Sequence, residues 1–199
     1  AGTAAGAGSA CEGGRAPVAE VVAVSGAVTR APAGGRPARL GLGAVVCPGD
    51  RIRTGDAASV ELRFAGADTI IGAAGNTTIV VPAQPGEEDA LAVLEGMLRF
   101  MSSVRRLFEF RTPFVTAGIE GTEALIAVEG PRTDSLVLVR EGRIRAVDRR
   151  GGAAALALGP GDAAFANAET PLRAATPATV PERFVPLLLR PAGAADWAV

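Results

Sequence analysis

Ser59-Val60-Glu61-Leu62-Arg63-Phe64 alternates without a break: Val60, Leu62 and Phe64 fall on one side of an extended chain, Glu61 and Arg63 on the other. A period of two marks a strand with one buried face. The same texture repeats outward in both directions. Toward the N-terminus, Val18–Val24 is a β-branched run closed by Ser25-Gly26, Ala27–Arg30 resumes the alternation, and Pro32 to Pro37 turns the chain. Leu40, Leu42 and Val45-Val46 precede Pro48-Gly49-Asp50, where Pro presets φ and Gly accepts a positive one. Arg51–Thr54 then runs to a turn at Gly55-Asp56. Toward the C-terminus come Thr69–Ile71, Thr77–Val81, Leu91–Leu94, Met97–Met101, Phe108–Thr112, Phe114–Ala117 and Ala124–Val128. Asp134–Val139 and Arg143–Val147 read as a hairpin across Glu141-Gly142; Leu156-Leu158 and Ala163–Ala166 close the series.

About a dozen short strands with turn signals between them, and no long 3.6-period segment before residue 170, predict an all-β domain. A strand–Glu/Pro–Gly–strand unit recurs around Gly49, Gly96, Gly142 and Gly161, which suits a β-roll or short β-solenoid; a sandwich is the alternative. The organisation expected is a flexible arm of Ala, Gly, Ser and Thr over residues 1–16, a β domain over 17–169, and a proline-rich tail over 170–199. The tail holds Pro171, Pro177, Pro181, Pro186 and Pro191, together with Phe184, Leu187, Leu188, Leu189 and Trp197. A polar linker would not carry so many large apolar groups, so the tail is expected to dock on this domain or on a protein partner. Proline bars it from a sheet interior but permits an edge.

Composition narrows the chemistry. The 199 residues include 20 basic and 21 acidic side chains, for a net charge of −1, so nothing calls for a nucleic acid partner. Histidine is absent, which removes the commonest general base and metal ligand and excludes a Ser-His-Asp triad. Tyrosine is absent and Trp197 is the sole tryptophan, which argues against an aromatic platform for bases or sugars. No P-loop, dinucleotide-binding glycine pattern or zinc spacing occurs. No enzymatic activity, cofactor or metal is expected. Asp50, Asp56 and Asp68 read as turn caps rather than calcium ligands. Glu87-Glu88-Asp89, Arg105-Arg106 and Arg149-Arg150 read as solvated loop charges.

The opening Ala1–Ala10 resembles the start of a chain processed at a small-residue site, so a periplasmic or extracellular location after signal-peptide removal is expected. No stretch is long and apolar enough to span a membrane. In an exported protein the two cysteines, Cys11 and Cys47, favour pairing; the bridge would close a loop of about 35 residues, worth on the order of 4 kcal/mol in the chain-entropy model.

Residues 20–168 resemble the FecR domain of bacterial envelope proteins. The likeness runs in order through Gly26-Ala27-Val28, Leu42-Gly43, Gly49-Asp50-Arg51-Ile52-Arg53-Thr54-Gly55, the strand at 60–64, Leu94-Glu95-Gly96 with Leu98, and Phe110-Arg111-Thr112-Pro113. Gly121-Thr122-Glu123-Ala124, Gly142-Arg143-Ile144 and Gly159-Pro160-Gly161-Asp162 complete it. The family usually carries Asp-Gly-Ser near residues 66–70, where this chain has Gly66-Ala67-Asp68-Thr69. Signalling members place a cytoplasmic anti-sigma segment and a membrane helix ahead of the domain, and neither pattern occurs ahead of Pro17 here. A second subgroup follows the domain with a proline-rich segment containing Asp-Ala-x-x-Trp and then helical repeats, and Arg190–Val199 resembles that segment.

The resemblance implies two functions. The first expectation is a non-enzymatic, extracytoplasmic interaction module, a structural subunit or scaffold of an envelope assembly. It would contact protein partners, further copies of itself or a helical-repeat region of the same precursor, with Phe184, Leu187, Leu188, Leu189 and Trp197 as contacts. The alternative is a self-processing signalling domain cut at Gly121-Thr122. There the Thr hydroxyl would attack the preceding carbonyl, with Glu120, Glu123 or a water as base, and water would hydrolyse the ester. The structural reading of the same dipeptide is a tight turn at Gly121 with a strand starting at Thr122.

Overall fold

The computed structural model describes residues 11–190, apart from 65–67, 85, 88, 105–106, 131–132 and 152–154. Fifteen strands lie among the described residues: β1 (Ala19–Ser25), β2 (Val28–Ala31), β3 (Ala38–Arg39), β4 (Val45–Val46), β5 (Arg51–Thr54), β6 (Ser59–Phe64), β7 (Thr69–Ala73), β8 (Thr78–Val80), β9 (Ala90–Ser102), β10 (Leu107–Arg111), β11 (Val115–Glu129), β12 (Asp134–Asp148), β13 (Leu156–Leu158), β14 (Ala163–Ala166) and β15 (Arg173–Ala174). A short 3-10 turn, Glu182–Phe184, runs into the one α-helix among these residues, α1 (Val185–Leu189). No helix among them is long and apolar enough to cross a membrane. The fold is all-β.

The pairings resolve into two layers. One runs β4-β1-β6-β7-β9-β11-β12-β14-β15. The other runs β3-β2-β5-β8-β9-β10-β11-β12-β13. Three long strands, β9, β11 and β12, belong to both, because each bends and crosses from one layer to the other. All pairs are antiparallel except β9 with β10, which run parallel over Ala90–Ala92 and Glu109–Arg111. The architecture is a two-layer roll with a shared seam, in which strand–bend–strand units stack in one order: β1 with β2, β6 with β5, β7 with β8, then the two halves of β9, of β11 and of β12.

The sequence dictates the crossings through the parity of its apolar residues. In β11 the core takes Val115, Ala117 and Ile119, then Ala124, Ile126 and Val128. Odd positions face inward before the crossing and even positions after it. β12 does the same with Val137 and Val139, then Ile144 and Ala146; β9 does it with Leu91 and Val93, then Leu98 and Phe100. A strand can change parity and keep its face only if one residue is inserted at the bend, which is a β-bulge. Each strand has one. Leu94 is extra between Glu95, opposite Thr78, and Val93, opposite Ile79. On β11, Gly121 and Thr122 together stand opposite Gly142, since Glu120 faces Arg143 and Glu123 faces Glu141. On β12, Arg140 is extra, since Ala124 faces Val139.

Here the structure corrects the sequence reading. Glu141-Gly142 is not the turn of a hairpin. Asp134–Asp148 is one continuous strand, whose first half pairs with Ala124–Glu129 and whose second half pairs with Val115–Glu120. Gly121 makes no tight turn either; it lies inside a fifteen-residue strand. The four glycines of the recurrent unit share one backbone conformation, φ +92° at Gly49, +93° at Gly96, +92° at Gly142 and +87° at Gly161. At Gly49 and Gly161 that conformation sits in a loop. At Gly96 and Gly142 the flanking runs are long enough to pair on both sides, so the same local kink becomes a bend within a strand.

The main core fills the space between the layers, with Phe64, Phe100, Phe108 and Phe110 packed ring to ring at 5.0–5.7 Å between centroids. A second, smaller cluster lies on the outer face of the first layer. Met97, Leu125, Ala127, Leu136, Leu138 and Phe165 are covered there by Phe184 and Leu187. The proline-rich segment thus docks on the chain's own sheet, entering as the edge strand β15 beside β14. Prolines at 171, 177, 181 and 186 lie outside the ladder, as their missing N–H requires.

Of the arm expected at 1–16, residues 1–10 lie outside the described residues. Residues 11–16 are tied down. Cys11 and Cys47 form a disulfide with Cα atoms 5.6 Å apart, and Arg15 donates to the carbonyls of Ala83 and Pro48 at 3.1 and 3.2 Å.

Candidate functional site

The crossing of β11 and β12 holds the most unusual chemistry of the molecule. Gly121 is buried there because the two strands meet backbone to backbone. A Cβ built on Gly121 would lie 2.6 Å from Cα of Gly142 and 2.8 Å from the carbonyl oxygen of Glu141. Only glycine fits that approach. The side chain of Thr122 lies outside what the structure describes. Of the two carboxylates proposed as its base, Glu123 is engaged, accepting from Arg99 Nε at 3.1 Å with the guanidinium Nη2 also at 3.1 Å. Glu120 is exposed opposite Arg143, and both line a shallow groove of about 500 Å³ over β10, β11 and β12, beside the exposed Leu107.

On the other face of the crossing, the extra residue of β12 does structural work. Arg140 Nη2 donates to the carbonyl of Leu187 at 2.8 Å, and Nη1 donates to the carbonyl of Arg190. The last carbonyls of a helix have no partner within it, so a guanidinium at the end of α1 satisfies groups that would otherwise need water. Burial pushes the Arg140 pKa below its ordinary value.

Two further ionic anchors hold the segment that follows β14. Asp148, buried at the end of β12, accepts from the backbone N–H of Leu172 at 2.9 Å and from the Arg150 guanidinium at 2.9 and 3.0 Å. Arg150 also donates to the carbonyls of Asn167, Ala168 and Thr170 at 2.9–3.2 Å. The Arg150 hydrogen bonds, helped by the Leu172 and Arg150 N–H groups and opposed by burial, hold the Asp148 carboxyl well below the usual carboxylate range. At the start of β12, buried Asp134 accepts from Asn167 Nδ2 at 2.6 Å and pairs with Arg183. Arg149 donates to the carbonyl of Thr112 at 2.8 Å.

These contacts refine the charge readings. Arg149 and Arg150 are exposed turn charges, as expected, and their guanidinium groups also clamp neighbouring carbonyls and Asp148. Glu87 of the acidic loop accepts from Arg111 at 2.7 Å, while Glu88 and Arg105-Arg106 lie outside the described residues. Asp50 caps its turn, accepting from the N–H of Cys47 at 2.7 Å, and pairs with Arg30 at 3.6 Å. Asp56 accepts from Asn76 at 2.9 Å, and Asp68 is exposed.

Of the expected partner contacts, Phe184 is fully buried and Leu187 nearly so against the chain's own sheet. Leu188 is half-buried in the same cluster, Leu189 is exposed, and Trp197 lies outside the described residues. Sequence reasoning missed Asp134, Arg140 and Asp148. Their visible signal was slight: Asp134 and Asp148 bound a long run of strand-forming residues, within which Arg140 is one of four charged side chains.

A two-layer β domain with a seam of bent strands, a disulfide and a self-docked proline-rich segment is the class of protein this geometry defines. Residues 50–145 match the family model described as FecR protein. Two solved structures of a "putative anti-sigma factor" from Parabacteroides distasonis ATCC 8503, at 1.65 and 2.50 Å resolution, share the fold. Each has a TM-score of 0.51 and 15% identity, covering 63% of this chain and 59% of theirs. The chain thus spans about three fifths of that protein's length. No curated protein matches the chain.

Proposed function

We propose that this chain is an extracytoplasmic, non-enzymatic regulatory domain that passes a signal by contact with other proteins. The observation that carries the proposal is the FecR match over 50–145, which takes in β9, β11 and most of β12, and with them all three bends. The anti-sigma description of the structural neighbour supports a signalling role over a scaffold. The Cys11–Cys47 disulfide supports an oxidising compartment. Phe184 and Leu187, spent on the chain's own sheet, weaken the case for the tail as an assembly contact. The test is transcriptional. Deleting the domain from its gene is expected to change the transcription of a defined gene set; unchanged transcription with altered envelope composition would favour a scaffold.

A narrower form of the reading is self-processing at Gly121-Thr122. The Thr122 hydroxyl oxygen would add to the Gly121 carbonyl carbon and the C–N bond would break, leaving an ester and a free amine on Thr122. Water would then give a Gly121 carboxylate and restore the hydroxyl. The position of the dipeptide at a paired bulge supports it, because such sites depart from regular extended geometry. Intact mass of the denatured, reduced protein from its native envelope decides the matter. Two fragments meeting at that bond are expected; a single uncut chain would reject processing and leave the contact-based role standing.

A further inference from the structure

We propose that residues 167–190 form a latch that sets the register of the β11–β12 crossing. The argument starts from where the anchors sit. Asp134 opens β12, Arg140 is its inserted residue and Asp148 closes it, and all three bind this one segment. The segment is therefore gauged against the whole length of β12, one contact on each side of the bend and one at the bend itself.

Arg140 reaches the end of α1 only because the bulge is where it is. Sliding the inserted position by one residue sends each side chain in the interval to the opposite face. Arg140 would then point into the core side, and the carbonyls of Leu187 and Arg190 would lose their donor. Neighbouring inward positions would suffer as well, since Val139 and Ile144 are buried between the layers. Docking and register thus require each other, and such coupling is reciprocal. A docked segment holds the crossing in the present register; a crossing in another register cannot hold the segment. Anything that competes for the apolar face of Met97, Leu125, Leu136 and Phe165 would lift Phe184 and Leu187 and, with them, free the backbone around Gly121-Thr122. The latch rests on contacts alone and stands whether or not that bond is ever cut.

The test is amide hydrogen exchange on the full chain carrying Leu187→Ala, which loosens the segment without changing any residue of β12. Exchange at 121–123 and 140–142 is expected to quicken about tenfold or more, while Leu62 and Ile71, in strands distant from the segment, keep their protection. Should that variant fail to fold, Arg140→Gln removes the bend anchor alone and is expected to raise exchange at the same amides and in α1 together. Loss of protection confined to residues 172–189, with the crossing as protected as before, would overturn the proposal.

Discussion

A methyl group on Gly121 would have to occupy the space already filled by Cα of Gly142. Gly121→Ala is therefore expected to destabilise the fold by about 1–3 kcal/mol, the cost of overpacking a rigid contact. Thermal denaturation reads it, and a variant as stable as the parent would mean the strands can part there freely. Asp148 makes a different kind of residue-level argument. Its folded-state pKa lies below that of the unfolded chain. The carboxylate therefore stabilises the fold above the ordinary Asp value of about 4, and that stabilisation fades as pH falls through this value toward the depressed one. Asp148→Asn is expected to lower the denaturation midpoint at pH 7, with a deficit that shrinks below about pH 4. An equal deficit at pH 7 and pH 3 would show that shape, not charge, is what the substitution removes. Neither residue's role was legible in the sequence. Gly121 read as a turn glycine, because the sequence does not show that it approaches the backbone of Gly142, 21 residues away. The role of Asp148 carried no sequence signal, because its partner Leu172 is joined through a backbone N–H that no side-chain pattern reveals.

Among the elements, the tail is the one whose packing can be probed most simply. Phe184 is fully buried, with its ring 6.2 Å from that of Phe165, whereas Leu189, five residues later in the chain, is 67% exposed. Phe184→Ala is expected to cost about 3–5 kcal/mol, and Leu189→Ala to stay within about 0.5 kcal/mol. Chemical denaturation of the two variants side by side checks both; similar losses would contradict the docking described here. Strand existence was legible over most of the chain, since β6 and β10 alternate plainly and β1 is β-branched, but not at the two-residue strands β3 and β15. Strand continuity was not. A Glu-Gly pair between two apolar runs reads as a turn by every local rule, and only the neighbours on both sides decide whether the chain reverses or bends. The parity switch from odd to even across 115–128 was present in the sequence. It gains meaning only when both halves are known to face one core.

For the molecule as a whole, the three shared strands forbid the layers from melting separately, because each layer loses its middle when the other goes. One calorimetric transition is expected, with equal calorimetric and van't Hoff enthalpies; two resolved transitions would mean the seam is not what joins the layers. Reduction of Cys11–Cys47 acts on that single transition. The bridged residues are 36 apart, so reductant is expected to cost on the order of 4 kcal/mol in the chain-entropy model. An unchanged denaturation midpoint would show that Arg15 and the ladder already confine this end of the chain. The all-β class and the cysteine pair could be read from composition and spacing. The full strand order could not, since it includes edge pairings such as β4 with β1 and β14 with β15 that span two residues each.

The cover over Met97, Leu125, Leu136 and Phe165 is made by residues that follow all fifteen strands among the described residues. A ribosome delivers the chain in that order. While Phe184 and Leu187 are still awaited, the nascent domain presents a bare apolar face, and β14 an open edge. That interval is when a holding chaperone would find most to grip, and its length is set by the pace of synthesis over the proline-rich stretch that supplies the cover.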